Sequence, residues 1–312
     1  MSRREFRFLQ SEVATLEGLL ANLSQDRVIE RLGFERRLNE ARRQLALVST
    51  QPRALSLPIT FRGDPVEGSR SIDASFATKA LRAFVEATDT VAASLTAADL
   101  KGIGPLPGSG GRSLRIVDTV LGSFGFELEL PPLAATFTLF DLLPGSEPTD
   151  PYVDAITTTF NLISQSASMD ENAITDLVAD IHPRAAAKVR AFAKVLFDHH
   201  ALFAAEFEGR QIRLDRHEEV QHVMELLDGD NINETFQTLS ATIQGILPDA
   251  RVFEAKLTAG EVVKGKIDRS LPNIQDFKAM VENTTTLLQF RVVNVRSNRR
   301  YVLMGTAEEQ AV

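Results

Sequence analysis

The sequence has no cysteine and no tryptophan, and only two tyrosines beside 19 phenylalanines among its 312 residues. Absence of cysteine excludes disulfides, thiolate nucleophiles and every thiolate-ligated zinc or iron–sulfur centre. The scarcity of tyrosine and tryptophan leaves an aromatic complement that is almost wholly apolar. No apolar run approaches the roughly 18–20 residues that cross a bilayer. Residues 1–6 lead into a charged heptad pattern and not into an apolar signal-peptide core. The expectation is a cytoplasmic protein with no membrane partner. Hydrophobic residues make up 44% and charged residues 24%, which is the balance of a globular chain long enough for two or three domains.

Net charge is −8, and it is unevenly placed. Residues 1–53 carry 10 basic and 7 acidic side chains, residues 54–233 carry 14 and 26, and residues 234–312 carry 10 and 9. The middle is therefore the acidic part, and a polyanion would meet one of the ends.

Those ends are the best-defined modules. Leu9, Val13, Leu16, Leu20 and Leu23 recur at alternating spacings of four and three, as do Phe34, Leu38, Ala41, Leu45 and Val48. Each series is a heptad seam. Ser24 or Asp26 between them is placed to cap the second helix. Residues 1–52 are thus expected to form an antiparallel coiled-coil hairpin, with Leu9, Leu16, Leu23, Leu38 and Leu45 as the interaction residues. At the other end, strand-like runs at 235–247, 251–258 and 261–268, a helical patch at 273–283 and further strands at 285–295 and 299–305 give a β-β-β-α-β-β order. That order predicts an OB-like small barrel over 231–312.

Between them, 53–230 reads as an acidic α+β domain. It has a strand at 56–62, a helix capped by Asp73 and running to about residue 95, and a glycine- and proline-rich loop at 101–112. Helices at 152–167, 171–181 and 183–199 follow, then strands at 202–208 and 210–214 and a helix capped by Asp215. Even-numbered positions in 114–130 are apolar almost throughout. The pattern allows a hairpin with a Gly122-Ser123-Phe124 loop, pairing Val120 with Phe126 and Ile116 with Leu130, or one bent strand. Both place Asp118 on the apolar face.

No catalytic set emerges. All five histidines lie between 182 and 222. His217 and His222 resemble a zinc-protease helix but are five residues apart, not four, and diverge around the helix. The loop at 102–108 has prolines where phosphate-cradling N–H groups are needed, and Ser109-Gly110-Gly111-Arg112 reads as a solvent loop before an anion nest. Glu127 and Glu129 read as a solvated strand face. In the barrel, Lys256, Lys264, Lys266, Arg291, Arg296, Arg299 and Arg300 suggest a basic stripe, with Phe253 and Phe290 as base-stacking rings. The near-neutral charge of that region weighs against the stripe.

Several short runs carry a resemblance. Residues 27–32 with Phe34-Glu35, the run Gly-Ser-Phe-Gly-Phe-Glu-Leu-Glu at 122–129, and Phe253-Glu254 with Gly260-Glu261 and Gly265-Lys266 resemble segments of an uncharacterised family of bacterial cytoplasmic proteins. The resemblance implies a bacterial origin and a shared three-part layout, and no activity. The expectation from the sequence is an α+β protein without cofactor, metal or catalytic residues, acting as an interaction or assembly protein. Its partner is a protein or a second copy bound through the hairpin. One alternative is a nucleic-acid-binding accessory factor of a defence or stress system, contacting its ligand through Lys264, Lys266, Arg299 and Arg300. Another is a carboxylate-dependent hydrolase or nuclease built around Asp118.

Overall fold

The computed structural model describes residues 3–24, 27–49, 54–97, 100–107, 113–120, 124–132 and 150–307. Helices α1 (Arg3–Asn22) and α2 (Val28–Ser49) pack on one another. Leu9, Leu16, Leu38 and Ala41 are buried, and Leu23 and Leu45 are half-buried. Arg37 reaches Glu12 at 2.9 Å and Arg42 reaches Glu17 at 2.7 Å. None of these apolar residues belongs to the cores of the remaining chain. The capping position Asp26 lies outside the described residues.

The central region is a five-stranded antiparallel sheet with helices on one face. Its strands are β1 (Leu55–Gly63), β4 (Arg115–Val120), β5 (Phe124–Leu130), β6 (Ala201–Phe207) and β7 (Arg210–Leu214), in the order β4-β5-β1-β6-β7. A small ribbon, β2 (Val66–Glu67) with β3 (Ser71–Ile72), follows β1. Period-two alternation turns Leu57, Ile59 and Phe61 inward, toward helices α3 (Ala74–Thr96), α4 (Pro151–Ala167), α6 (Pro183–Asp198) and α7 (His217–Leu226). Phe203 sits at the centre, with its ring centroid 5.0 Å from Phe192 and 5.8 Å from both Phe61 and Phe84. Full burial of each such ring contributes roughly 1.5–3 kcal/mol.

Side chains fix the helix starts. Asp73 accepts from the Phe76 N–H at 2.7 Å, Asp150 from Tyr152 at 3.0 Å and His182 from Arg184 at 3.1 Å. Asp170 does the same for Ala173 at 3.0 Å, opening the short helix α5 (Glu171–Ala179). The start of α7 departs from expectation. Arg216 is the cap residue, and the Glu219 carboxylate accepts from the Asp215 and Arg216 N–H groups at 2.8 and 3.2 Å. A first-turn glutamate here does the work expected of Asp215.

The C-terminal strands β8 (Ile232–Leu247), β9 (Val252–Leu257), β10 (Val262–Ile267), β11 (Thr285–Val295) and β12 (Asn298–Thr306) close into a barrel of order β10-β12-β11-β8-β9. All pairs are antiparallel except β10 with β12, which is parallel. Helix α8 (Ile274–Val281) lies between β10 and β11, and its Ile274, Phe277 and Val281 join the barrel core. The outer side of the barrel is not free throughout. Val293, Val295 and Val302 belong to the core of the central region, so the two regions share apolar packing. Among the described residues, no helix is long and apolar enough to cross a membrane.

Candidate ligand-binding cleft

A concavity lies on the outer face of the barrel. It holds about 790 Å³ and is walled by α5 and the end of α8. Its floor comes from strand register. Gly245, Glu254 and Lys264 lie side by side across β8, β9 and β10, and Leu247, Val252, Lys266 and Val302 across β8, β9, β10 and β12. A bulge in β8 between Ile243 and Gly245 sets that phase, turning Ile246 into the barrel and Gly245 and Leu247 outward. Beneath the floor, Gly265 allows the parallel closure. A Cβ there would fall 1.9 Å from the Tyr301 carbonyl oxygen and 2.9 Å from the Phe253 ring.

Gly245 and Leu247 leave the centre of the cleft apolar and open. Among the described residues, nothing lies within 4 Å of a Cβ built on Gly245, and Leu247 is 64% exposed. The rim is charged but paired. Lys264 meets Glu254 at 2.9 Å, Lys278 meets Glu282 at 3.6 Å, and Arg300 and Lys266 are bonded to Asp176 and Asp180 at the α5 end. Each cation thus has a carboxylate beside it, so the cleft offers apolar contact and local dipoles, not a net positive field.

Sequence comparison supplies no relative for this arrangement. Neither protein-family profiles, nor curated proteins, nor solved structures give a match.

Of the four basic residues expected at a nucleic-acid groove, Lys266 and Arg300 face α5, while Lys264 lies on the cleft rim. Arg299 bonds Asn294 at 3.2 Å and the Tyr301 hydroxyl at 3.5 Å. Arg291 is enclosed between the two regions, 2.8 Å from Glu234, 3.6 Å from Asp268 and 2.9 Å from the Ala179 carbonyl oxygen it donates to. Arg296 meets Glu171 at 3.2 Å. Much of the expected stripe is therefore the barrel's seam with α5. Phe253 and Phe290 are core rings, 5.7 Å apart, with no face open to a base. The sequence pattern does not single out Gly245, Leu247, Val252 or the α5 wall. The available signal was faint: Leu247 is a large apolar residue at an outward position just before a turn.

Asp118 is not on the apolar face. β4 and β5 form an antiparallel pair whose register slips between Ile116 and Asp118, so Ile116 opposes Leu128, Asp118 opposes Glu127 and Val120 opposes Gly125. The bulge inserts one residue and reverses the parity beyond it. Glu129, expected on a solvated face, is buried between Ser56 and Arg115 in register. The loop residues 121–123 and the nest at 109–112 lie outside the described residues. The glycine loop before that nest is pinned by Arg184, which donates to the carbonyl oxygens of Lys101 at 3.1 Å and Gly104 at 2.6 Å.

The histidines serve local packing. His199 lies against Phe76, and His217 stacks on Phe197 at 4.6 Å with His200 at 4.9 Å. The His222 Nδ1 is 3.1 Å from the Ala167 carbonyl oxygen. Among the described residues, no group of three or more histidine, aspartate or glutamate side chains is placed to hold a metal ion.

Proposed function

We propose that this chain is a non-enzymatic interaction and assembly protein, in which an α1–α2 coiled-coil hairpin joins copies of the chain and an OB-like barrel serves as the binding module. One observation carries the reading. Val28, Ile29 and Leu32 at the start of α2 are 58, 89 and 65% exposed, on a helical pair that stands outside both hydrophobic cores. Phe8 and Leu19 on α1 are exposed as well and, eleven residues apart, share one side of that helix. Exposed apolar side chains on two short helices are stabilised when another surface covers them. The OB-like reading is supported by the five-strand closure with a helix between the third and fourth strands. A bacterial cytoplasmic setting follows the family resemblance and belongs to this proposal.

Sedimentation of the full chain at micromolar concentration tests it. The wild type is expected to be oligomeric and the Ile29→Glu, Leu32→Glu double variant monomeric, with unchanged circular dichroism. A monomeric wild type removes self-assembly from the proposal. Nucleic-acid contact through Lys264, Lys266, Arg299 and Arg300 is the less favoured reading, because Lys266 and Arg300 are already engaged by α5 carboxylates.

A further inference from the structure

We infer that the barrel cleft seats a short extended polypeptide segment with an apolar anchor side chain, flanked by charges of both signs. The inference rests on the barrel being a binding module and adds the chemical class of its ligand.

Three features of the cleft select that class. Its apolar strip, formed by Leu247 and Val252 with open space over Gly245 among the described residues, accepts a branched aliphatic side chain. Leu247 gains most from being covered, since it is largely exposed. Its length also fits. The floor crosses four strands, and three inter-strand gaps of about 4.8 Å make roughly 14 Å. An extended peptide covers that span with about four or five residues.

Charge decides between a peptide and a polyanion. A phosphate entering beside Lys264, Lys278 or Arg300 would meet Glu254, Glu282 or Asp176 at the same place. It would have to displace a carboxylate that stays nearby and repels it. A peptide carrying both lysine and glutamate exchanges partners with these pairs without building up one sign. The closed barrel offers no free strand edge here, since β9 and β10 are each paired on both sides. Recognition therefore runs through side chains and not through strand addition.

The test is selection of a random library of displayed peptides of about seven residues against the full-length protein. Affinities of the selected peptides are then measured by fluorescence anisotropy on the wild type and two variants. Gly245→Leu fills the open space, and Leu247→Asp places a charge in the apolar strip at an exposed site that folding tolerates. Selected peptides should carry an aliphatic anchor with mixed flanking charge. They should lose at least about tenfold in affinity on both variants, whose melting temperatures match the wild type. If Gly245→Leu melts early, Leu247→Asp alone decides. Peptides that bind both proteins equally would overturn the inference, as would failure to enrich any peptide. Salt-sensitive binding of oligothymidylate that displaces the peptides would also overturn it, in favour of a polyanion. None of these outcomes alters the sedimentation result, so the assembly role and the ligand class fail separately.

Discussion

Asp89 and Tyr152 join α3 to α4 through a hydrogen bond that the phenol donates to the carboxylate. Burial raises the Asp89 pKa above the ordinary carboxylate value; the Tyr152 hydrogen bond opposes this, and the negative charge of Glu86 adds to it. Because the folded pKa is the higher one, ionised Asp89 costs stability above that pKa. The deficit disappears as pH falls below the unfolded value near about 3.9. Asp89→Asn keeps an acceptor for Tyr152, so it should raise the melting temperature at neutral pH and leave it nearly unchanged at about pH 3. A lower melting temperature at neutral pH would show that the charged form of the hydrogen bond outweighs burial. Also on α4, the Thr159 and Ser166 hydroxyls are buried with no partner among the described residues, two turns apart on one side of the helix. Thr159→Val retains the shape and removes the unsatisfied hydroxyl, so denaturant unfolding should show a gain of roughly 1 kcal/mol.

Helix positions follow from caps and periodicity, which act within a few residues, and α3, α4 and α6 begin where Asp73, Asp150 and His182 place them. Strand register is less legible. The β4–β5 slip and the β8 bulge each reverse the facing of the residues that follow, and neither leaves a mark in the apolar pattern. The even–odd apolar pattern therefore puts Asp118 on the wrong face and gives no sign of the outward Gly245 and Leu247. Gly265 shows the same dependence on partner strands. Nothing near it in sequence requires glycine, yet a side chain there would strike the Tyr301 carbonyl group and the Phe253 ring. Gly265→Ala should therefore open the β10–β12 closure and destabilise the protein by roughly 3 kcal/mol or more, read as a shifted denaturant midpoint. A change under about 0.5 kcal/mol would mean that the barrel closes without that close approach.

At the scale of the whole molecule, the central sheet and the barrel share a core through Val293, Val295 and Val302. Polar side chains of the barrel reach across that seam: Arg269 donates to the Leu95 carbonyl oxygen at 2.7 Å, while Arg296 and Asn298 hold Glu171. Arg291, 14% exposed, lies between Glu234 and Asp268. Removing it leaves two enclosed carboxylates without their common cation, so Arg291→Ala should cost roughly 3 kcal/mol. Calorimetry of the wild type should show one transition for the sheet and barrel together, and Arg291→Ala should lower it without splitting it. Two wild-type transitions in that region would make the barrel an independent domain.

The sequence by itself determined the elements of this protein. Heptad spacing placed α1 and α2, and period-two runs with turn residues placed the strands of the sheet and barrel, although the β2–β3 ribbon lies in a stretch that reads as loop and 114–130 reads equally as a hairpin or one bent strand. The order β-β-β-α-β-β anticipated the five-strand closure, because these signals are written over neighbouring residues. Tertiary structure alone decided which charge meets which. The basic residues of the barrel read as one stripe along the chain, but α5 arrives from about a hundred residues earlier and takes Lys266, Arg291 and Arg300. A cation's partner is set by whichever carboxylate or carbonyl the fold brings within a few ångströms. That choice leaves a cleft with an apolar centre flanked by paired charges, a character no single segment carries.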